Sequence, residues 1–210
     1  LNKDVPFDVA AMAEPLACAI HGIDRTDIIP GQTVLVIGGG AIGQLMIQLA
    51  KLKGASTVIL SEPIEMRRKI GLSVGADAAV DPIHEDLAQA IFQITGNEGT
   101  DCVIECVGNP KIAQQAIEMA GAGGTVVLFS VPPVEGTAPL PLFDVYKKEL
   151  TVRGSIINPD THQRAVNLIN SGRLEIEKLI THHYDLEHLE DAILMQMSSE
   201  SIKVVIHPQD

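Results

Sequence analysis

Apolar residues fall along this chain in two alternating rhythms. Short runs rich in valine and isoleucine, at 33–37, 57–60, 78–80, 102–105 and 125–129, read as strands. Between them lie amphipathic stretches of helical length at 41–53, 64–72, 85–95 and 111–120. Strand alternating with helix means βαβ units, so the expected fold class is α/β, a doubly wound parallel sheet covered on both faces. Gly54, Gly71, Gly75 and Gly121 stand where the helices are expected to stop. Asp81-Pro82, Asn109-Pro110 and Pro132-Pro133 mark turns. Past Gly124 the rhythm changes to a proline-rich loop at 131–142, a late strand at 149–157, helices at 161–171 and 187–197, and a last strand at 203–206. At the other end, 8–27 reads as a helix bent at Pro15. Three parts follow: an interdomain helical segment at 1–29, a core at 30–157, and C-terminal helices and strand at 158–210.

One junction carries chemistry. The run Val34-Leu35-Val36-Ile37 passes directly into Gly38-Gly39-Gly40-Ala41-Ile42-Gly43, and a helical pattern follows. This is G-x-G-x-x-G in a strand–turn–helix setting, the fingerprint of a dinucleotide-binding Rossmann fold. Gly38 permits the tight turn, Gly40 lets a pyrophosphate approach the backbone, and Gly43 lets the helix pack close. The helix beginning near Ala41 then offers free N–H groups and its positive dipole end to phosphate. The second strand ends at Ser61-Glu62, about 20 residues beyond Gly43, where an acidic residue accepts from the adenosine ribose. Glu62 also repels a 2′-phosphate, so the expected cofactor is NAD rather than NADP. Arg67 and Arg68, one helical turn on, are the residues that could argue otherwise.

Composition narrows the class. With a formal charge of −12 over 210 residues, the chain has nothing to offset phosphate repulsion, so no nucleic-acid partner is expected. Its longest apolar runs are strand-sized, so no membrane span is expected either. Cys18, Cys102 and Cys106 make an odd, sparse set that does not suit a secreted disulfide framework. Cys102 and Cys106 are expected on one face of a strand as core thiols. The chain opens at Leu1 with no signal-peptide pattern. The resulting expectation is a cytoplasmic protein, present as one domain of a longer chain.

With these residues placed, the chain resembles the zinc-dependent medium-chain dehydrogenase/reductase family, and within it the sorbitol and threonine dehydrogenase branch. Four segments carry the resemblance: Ala13-Glu14-Pro15-Leu16-Ala17-Cys18-Ala19-Ile20-His21, Pro30-Gly31-Gln32-Thr33-Val34-Leu35-Val36, Asp101-Cys102-Val103-Ile104-Glu105-Cys106-Val107-Gly108, and Lys148-Glu149-Leu150-Thr151-Val152-Arg153-Gly154-Ser155 with Ile156-Ile157-Asn158-Pro159 after it. The resemblance implies hydride transfer between an alcohol or polyol and NAD, with a zinc ion as Lewis acid on the alcohol oxygen. It implies that Glu14 serves the zinc site directly or through water, while the remaining ligands belong to a preceding domain. A single carboxylate could not hold a catalytic zinc. It implies that Ile42 covers the pyrophosphate and that Glu62 and Arg67 bind the adenosine ribose. Val107, Phe129, Ser130 and Val131 would pass the nicotinamide, and Ile156, Ile157 and Asn158 would lie near nicotinamide and substrate. Related polyol enzymes place an arginine near Ile157, and isoleucine here puts a sorbitol-like substrate in doubt. The alternatives are a zinc-free reductase domain of the same family and a non-catalytic nucleotide-sensing domain.

Other residues invite a site and are set aside. His182 and His183 look like a metal pair, but neighbours on a strand point to opposite faces. Cys18 near Glu14 suggests a ligand pair, but Cys18 reads more simply as a small residue packed in a helix. His21 and His84 have no visible partner. Apolar positions at 9–12 and 16–20 are expected to form a surface that a missing domain would cover. The strand near 151–155 is expected at a sheet edge, pairing with its copy in a homodimer or homotetramer.

Overall fold

A computed structural model describes residues 1–96 and 98–208. Six parallel strands form the central sheet: β1 (Thr33–Ile37), β2 (Thr57–Ser61), β3 (Ala78–Val80), β4 (Thr100–Glu105), β5 (Ala120–Leu128) and β6 (Thr151–Gly154). Their spatial order is β3-β2-β1-β4-β5-β6, with every neighbouring pair parallel. Helices α1 (Phe7–Ala11), α2 (Ala13–Asp24), α3 (Ala41–Leu52), α4 (Glu65–Ser73), α5 (Leu87–Ile94), α6 (Pro110–Met119), α7 (Leu142–Lys148), α8 (His162–Ser171) and α9 (Leu189–Met197) complete the chain. A separate parallel pair, β7 (Ile180–Asp185) and β8 (Lys203–His207), lies towards the C-terminus. Among the described residues no helix is long and apolar enough to cross a membrane.

The pleat explains the two cores. Along β1, Val34 and Val36 join one buried cluster, with Leu16, Ile20, Leu45, Ile47, Leu60 and Ile104. Leu35 and Ile37 join the other, with Ile59, Ile91, Val103, Ile117 and Val126. A strand that is apolar at every position is therefore buried on both faces, as parallel sheets require. Cys102 and Cys106 pack on the same core, as their spacing predicts.

Several expectations are corrected. The apolar patch at 9–20 does not exist. Met12, Leu16, Ala17 and Ala19 are fully buried and Ile20 nearly so, because α2 packs against α3 and α8. The bend in this segment falls at Met12, not Pro15. Pro15 sits in the first turn of α2, where its missing N–H has no helical partner to lose. Gly71 lies inside α4 rather than ending it. A Cβ there would stand 2.4 Å from Leu60 Cδ2, so close helix–strand packing explains the glycine. Gly121 belongs to β5, which starts at Ala120 and follows α6 without a loop. The late strand is only Thr151–Gly154, and α7 precedes it where no helix was expected. The expected helix at 187–197 begins as a 3-10 turn, Leu186–His188, ahead of α9.

Candidate functional site

The order β3-β2-β1-β4 puts β1 at the point where the chain turns from one side of the sheet to the other. Open α/β sheets bind ligands in the crevice beyond the strands' carboxyl ends at such a point. A crevice of about 600 Å3 lies there, lined by Gly38, Gly40, Glu62, Arg67 and Val107 among others. Gly38 has φ +98°, a conformation that favours glycine. A Cβ on Gly43 would stand 1.8 Å from the Gly38 carbonyl oxygen, so only glycine lets α3 start this close to β1. Nothing lies within 4 Å of where a Gly40 Cβ would be. Gly40 caps α3 with no side-chain hydrogen bond, which leaves the first-turn N–H groups, Ala41 and Ile42 included, available to an anion. The cradle fits a diphosphate.

Glu62 closes this turn. It is buried, its Oε2 accepts from Gly39 N at 2.6 Å, and its Oε1 accepts from Ile64 N at 2.8 Å. The predicted acid thus lies against the glycine turn, at the crevice wall. Gln44, which sequence reading missed, braces the same turn from α3. Its Nε2 donates to Gly39 O and to Arg67 O, both at 2.9 Å. The missed signal was a glutamine at a helix position whose neighbours all face the core.

Arg67 lines the crevice, yet its guanidinium is engaged elsewhere. Nε and Nη2 donate to the Ser201 carbonyl at 3.1 and 2.8 Å, and Nη2 donates to the Ser198 carbonyl at 3.0 Å. Arg67, expected at the adenosine ribose, thus stands at the crevice wall with Nε and Nη2 satisfying main-chain carbonyls of a partly buried C-terminal turn. Arg68 is committed too, to the carbonyls of Glu62 and Pro63 at 2.7 Å each and to Asp81 at 3.0 Å. Asp81 also pairs with His84, which sequence reading had left alone.

Beyond β4, the buried Glu105 accepts from Val107 N at 2.6 Å and from Gly108 N at 2.8 Å through Oε1. Two main-chain donors hold this carboxylate and fix the turn that carries Val107 along the crevice. Cys106 lines the crevice as well. Burial, and then the neighbouring Glu105 charge, push its thiol far up, which disfavours the thiolate. Ser130 lines an adjoining cavity of about 260 Å3 with Glu105 and Gly108. Phe129 instead packs on α2, 2.6 Å from the position a Gly22 Cβ would take. Val131 is 91% exposed, and Ile156 and Ile157 are also exposed. Ile157 has φ +56°, a conformation a β-branched residue holds only when its surroundings impose it.

Glu14 and Asn158, separated by most of the chain, meet. Asn158 Nδ2 donates to Glu14 Oε1 at 3.1 Å, and Cys18 Sγ donates to the same oxygen at 3.1 Å. Burial, then the Glu14 hydrogen bond and charge, push the Cys18 thiol up to about 11. Glu14 and Cys18 together would give zinc at most two protein ligands, where a catalytic site takes about three. The residues here do not by themselves make a catalytic zinc site.

An open parallel sheet with a glycine turn and a buried acid at its switch point defines a dinucleotide-binding α/β protein. The family model for zinc-binding dehydrogenases matches residues 41–171, and the chain belongs to that family. It is 35% identical over 209 residues to the L-threonine 3-dehydrogenase of Thermococcus kodakarensis, covering 98% of this chain and 59% of that one. It is 28% identical over 210 residues to the sorbitol dehydrogenase of Bacillus subtilis, covering 99% of this chain and 59% of that one. A solved protein of Sinorhizobium meliloti 1021, bound to NADP, is 40% identical with a TM-score of 0.91, covering 95% of this chain and 59% of that one. The chain therefore spans 59% of the length of these curated relatives.

Proposed function

We propose that this chain is the cofactor-binding part of an NAD-dependent zinc alcohol or polyol dehydrogenase, which moves hydride between a secondary alcohol or sugar alcohol and NAD. The observation that carries the reading is Glu62 held against the glycine turn at the wall of the crevice. In this reading residues 30–157 are the cofactor-binding core. The N–H groups at the start of α3 hold the diphosphate, and Glu62 accepts from the adenosine ribose. Glu105 keeps the Val107–Gly108 turn in position beside the nicotinamide. Asn158 orients Glu14 towards a zinc site whose remaining ligands come from outside this chain. When bound, the nicotinamide supplies a hydride acceptor and zinc a Lewis acid for the alcohol oxygen. The Glu14–Asn158 pair favours an enzyme over a nucleotide sensor, which needs no such carboxylate.

Preference for NAD rests on charge. Glu62 repels a 2′-phosphate, and both nearby guanidinium groups already bind main-chain carbonyls. Fluorescence titration is expected to give NADH at least about tenfold tighter binding than NADPH, a gap of about 1.4 kcal/mol. Equal or tighter NADPH binding overturns the assignment, and Glu62→Ser should narrow the gap. Turnover of an alcohol with NAD by these residues alone would contradict the missing zinc ligands.

The same reading includes a two-fold dimer through β6. This strand is the sheet edge. Its one charge, Arg153, is tied inward to Asp27 and to the Arg25 carbonyl, so little protects the edge from pairing. Isologous pairing would join two sheets into one. Sedimentation at micromolar concentration is expected to show a dimer, and a monomer there ends the idea.

A further inference from the structure

The alternation of β7 and β8 brings together residues that neither strand announces alone. His183 pairs in register with Val205, and His207 lies two positions further along β8, on the same face. His182 takes the opposite face, where its Nδ1 meets Thr181 Oγ1 at 3.0 Å. Across from the two same-face imidazoles stands Asp8 of α1. His183 Nδ1 is 3.3 Å from Asp8 Oδ2, His207 Nε2 is 3.0 Å from Asp8 Oδ1, and the two ring nitrogens are 3.3 Å apart. Donors bound at roughly 2.0–2.1 Å to one tetrahedral ion stand about 3.3 Å from one another. Asp8 meets the two imidazoles through different oxygens, and one ligand atom from each of the three residues lies within 4.8 Å of the others, close enough for small side-chain rotations to bring them onto one ion.

We propose that Asp8, His183 and His207 form a binding site for a divalent transition-metal ion, separate from the dinucleotide crevice. Two imidazoles and a carboxylate suit zinc, cobalt(II) or nickel(II) rather than calcium or magnesium, which take oxygen ligands. The site is open to solution: the Asp8, His183 and His207 side chains are 22%, 52% and 36% exposed. Asp8 and His207 also line a pocket of about 570 Å3. Room therefore remains for a water or an outside ligand in the fourth position. The ion would clip α1, near one end of the chain, to the β7–β8 pair near the other.

Cobalt(II) is the probe, because its visible d–d absorption reports both binding and tetrahedral geometry. One cobalt per chain is expected, displaced by zinc. His183→Ala and His207→Ala should each weaken binding by at least about tenfold, and His182→Ala should not. Zinc should raise the thermal midpoint of the parent chain but not of the two variants. NADH titration checks that the crevice is intact. If an alanine variant unfolds by circular dichroism, His207→Gln, which keeps a hydrogen-bonding side chain of similar reach, decides in its place. Absence of a cobalt band in the parent, or an undiminished band in the variants, overturns the site and leaves a hydrogen-bonded His–Asp–His cluster.

Discussion

Cys18 and Glu14 lie one turn apart on α2, and burial together with the Glu14 contact raises the proton affinity of the thiol. The Cys18 thiol, raised from 9.0 to about 11, loses its proton less readily in the fold than in the unfolded chain. The stability it contributes is complete below about pH 9 and is lost as pH rises towards 11. Alkylation of Cys18, followed by mass spectrometry, is expected to rise with a midpoint near 11. Glu14→Gln removes the charge and should bring the midpoint down. A midpoint at the ordinary thiol value in the parent, or an unchanged one in the variant, contradicts the arrangement. Single residues were legible where their role is local. Gly38, Gly43 and Glu62 are specified by a turn and its neighbouring strand end. Arg67 was not, because its carbonyl partners at Ser198 and Ser201 lie far along the chain. Asp8 with His207 was hidden for the same reason: the sequence offered the adjacent His182, whereas the sheet offers a distant partner.

At the scale of the element, the turn into α3 separates two uses of glycine. Gly43→Ala would drive a methyl into the Gly38 carbonyl, which should cost about 3 kcal/mol and spoil the cradle. Gly40→Ala meets nothing within 4 Å, and Gly40 has φ −68°, which alanine tolerates. It should leave urea unfolding nearly unchanged while weakening NADH at least about tenfold, because the methyl enters the space assigned to diphosphate. Loss of stability in the Gly40 variant, or unaltered NADH affinity, would count against that assignment. Strands and long helices were legible because β1 to β5 are apolar runs and α3 to α6 are periodic. Helix α7 was not, since it has seven residues and none is buried. Without a core-facing stripe there was no period to read. Gly71 misled because a glycine that ends a helix and one that lets a helix touch a strand look the same in sequence.

The whole molecule is more closed on itself than its segments suggested. The apolar stretch at 9–20 looked unpartnered because its partners, α3 and α8, are remote in sequence. Once α2 is packed, its buried face, with Leu16, Ala17, Ala19, Ile20 and Ile23, belongs to the core. Strand β8 was read at 203–206, but β7 and its parallel pairing with β8 were not, since a pairing outside the main sheet leaves no local signature. The position of this pair has a consequence. Asp8 touches His207, so the beginning and end of the described chain are neighbours. Joining the ends through about ten glycine and serine residues and opening the chain between Glu135 and Gly136, in an exposed loop, should give a rearranged gene product that folds and titrates with NADH like its parent.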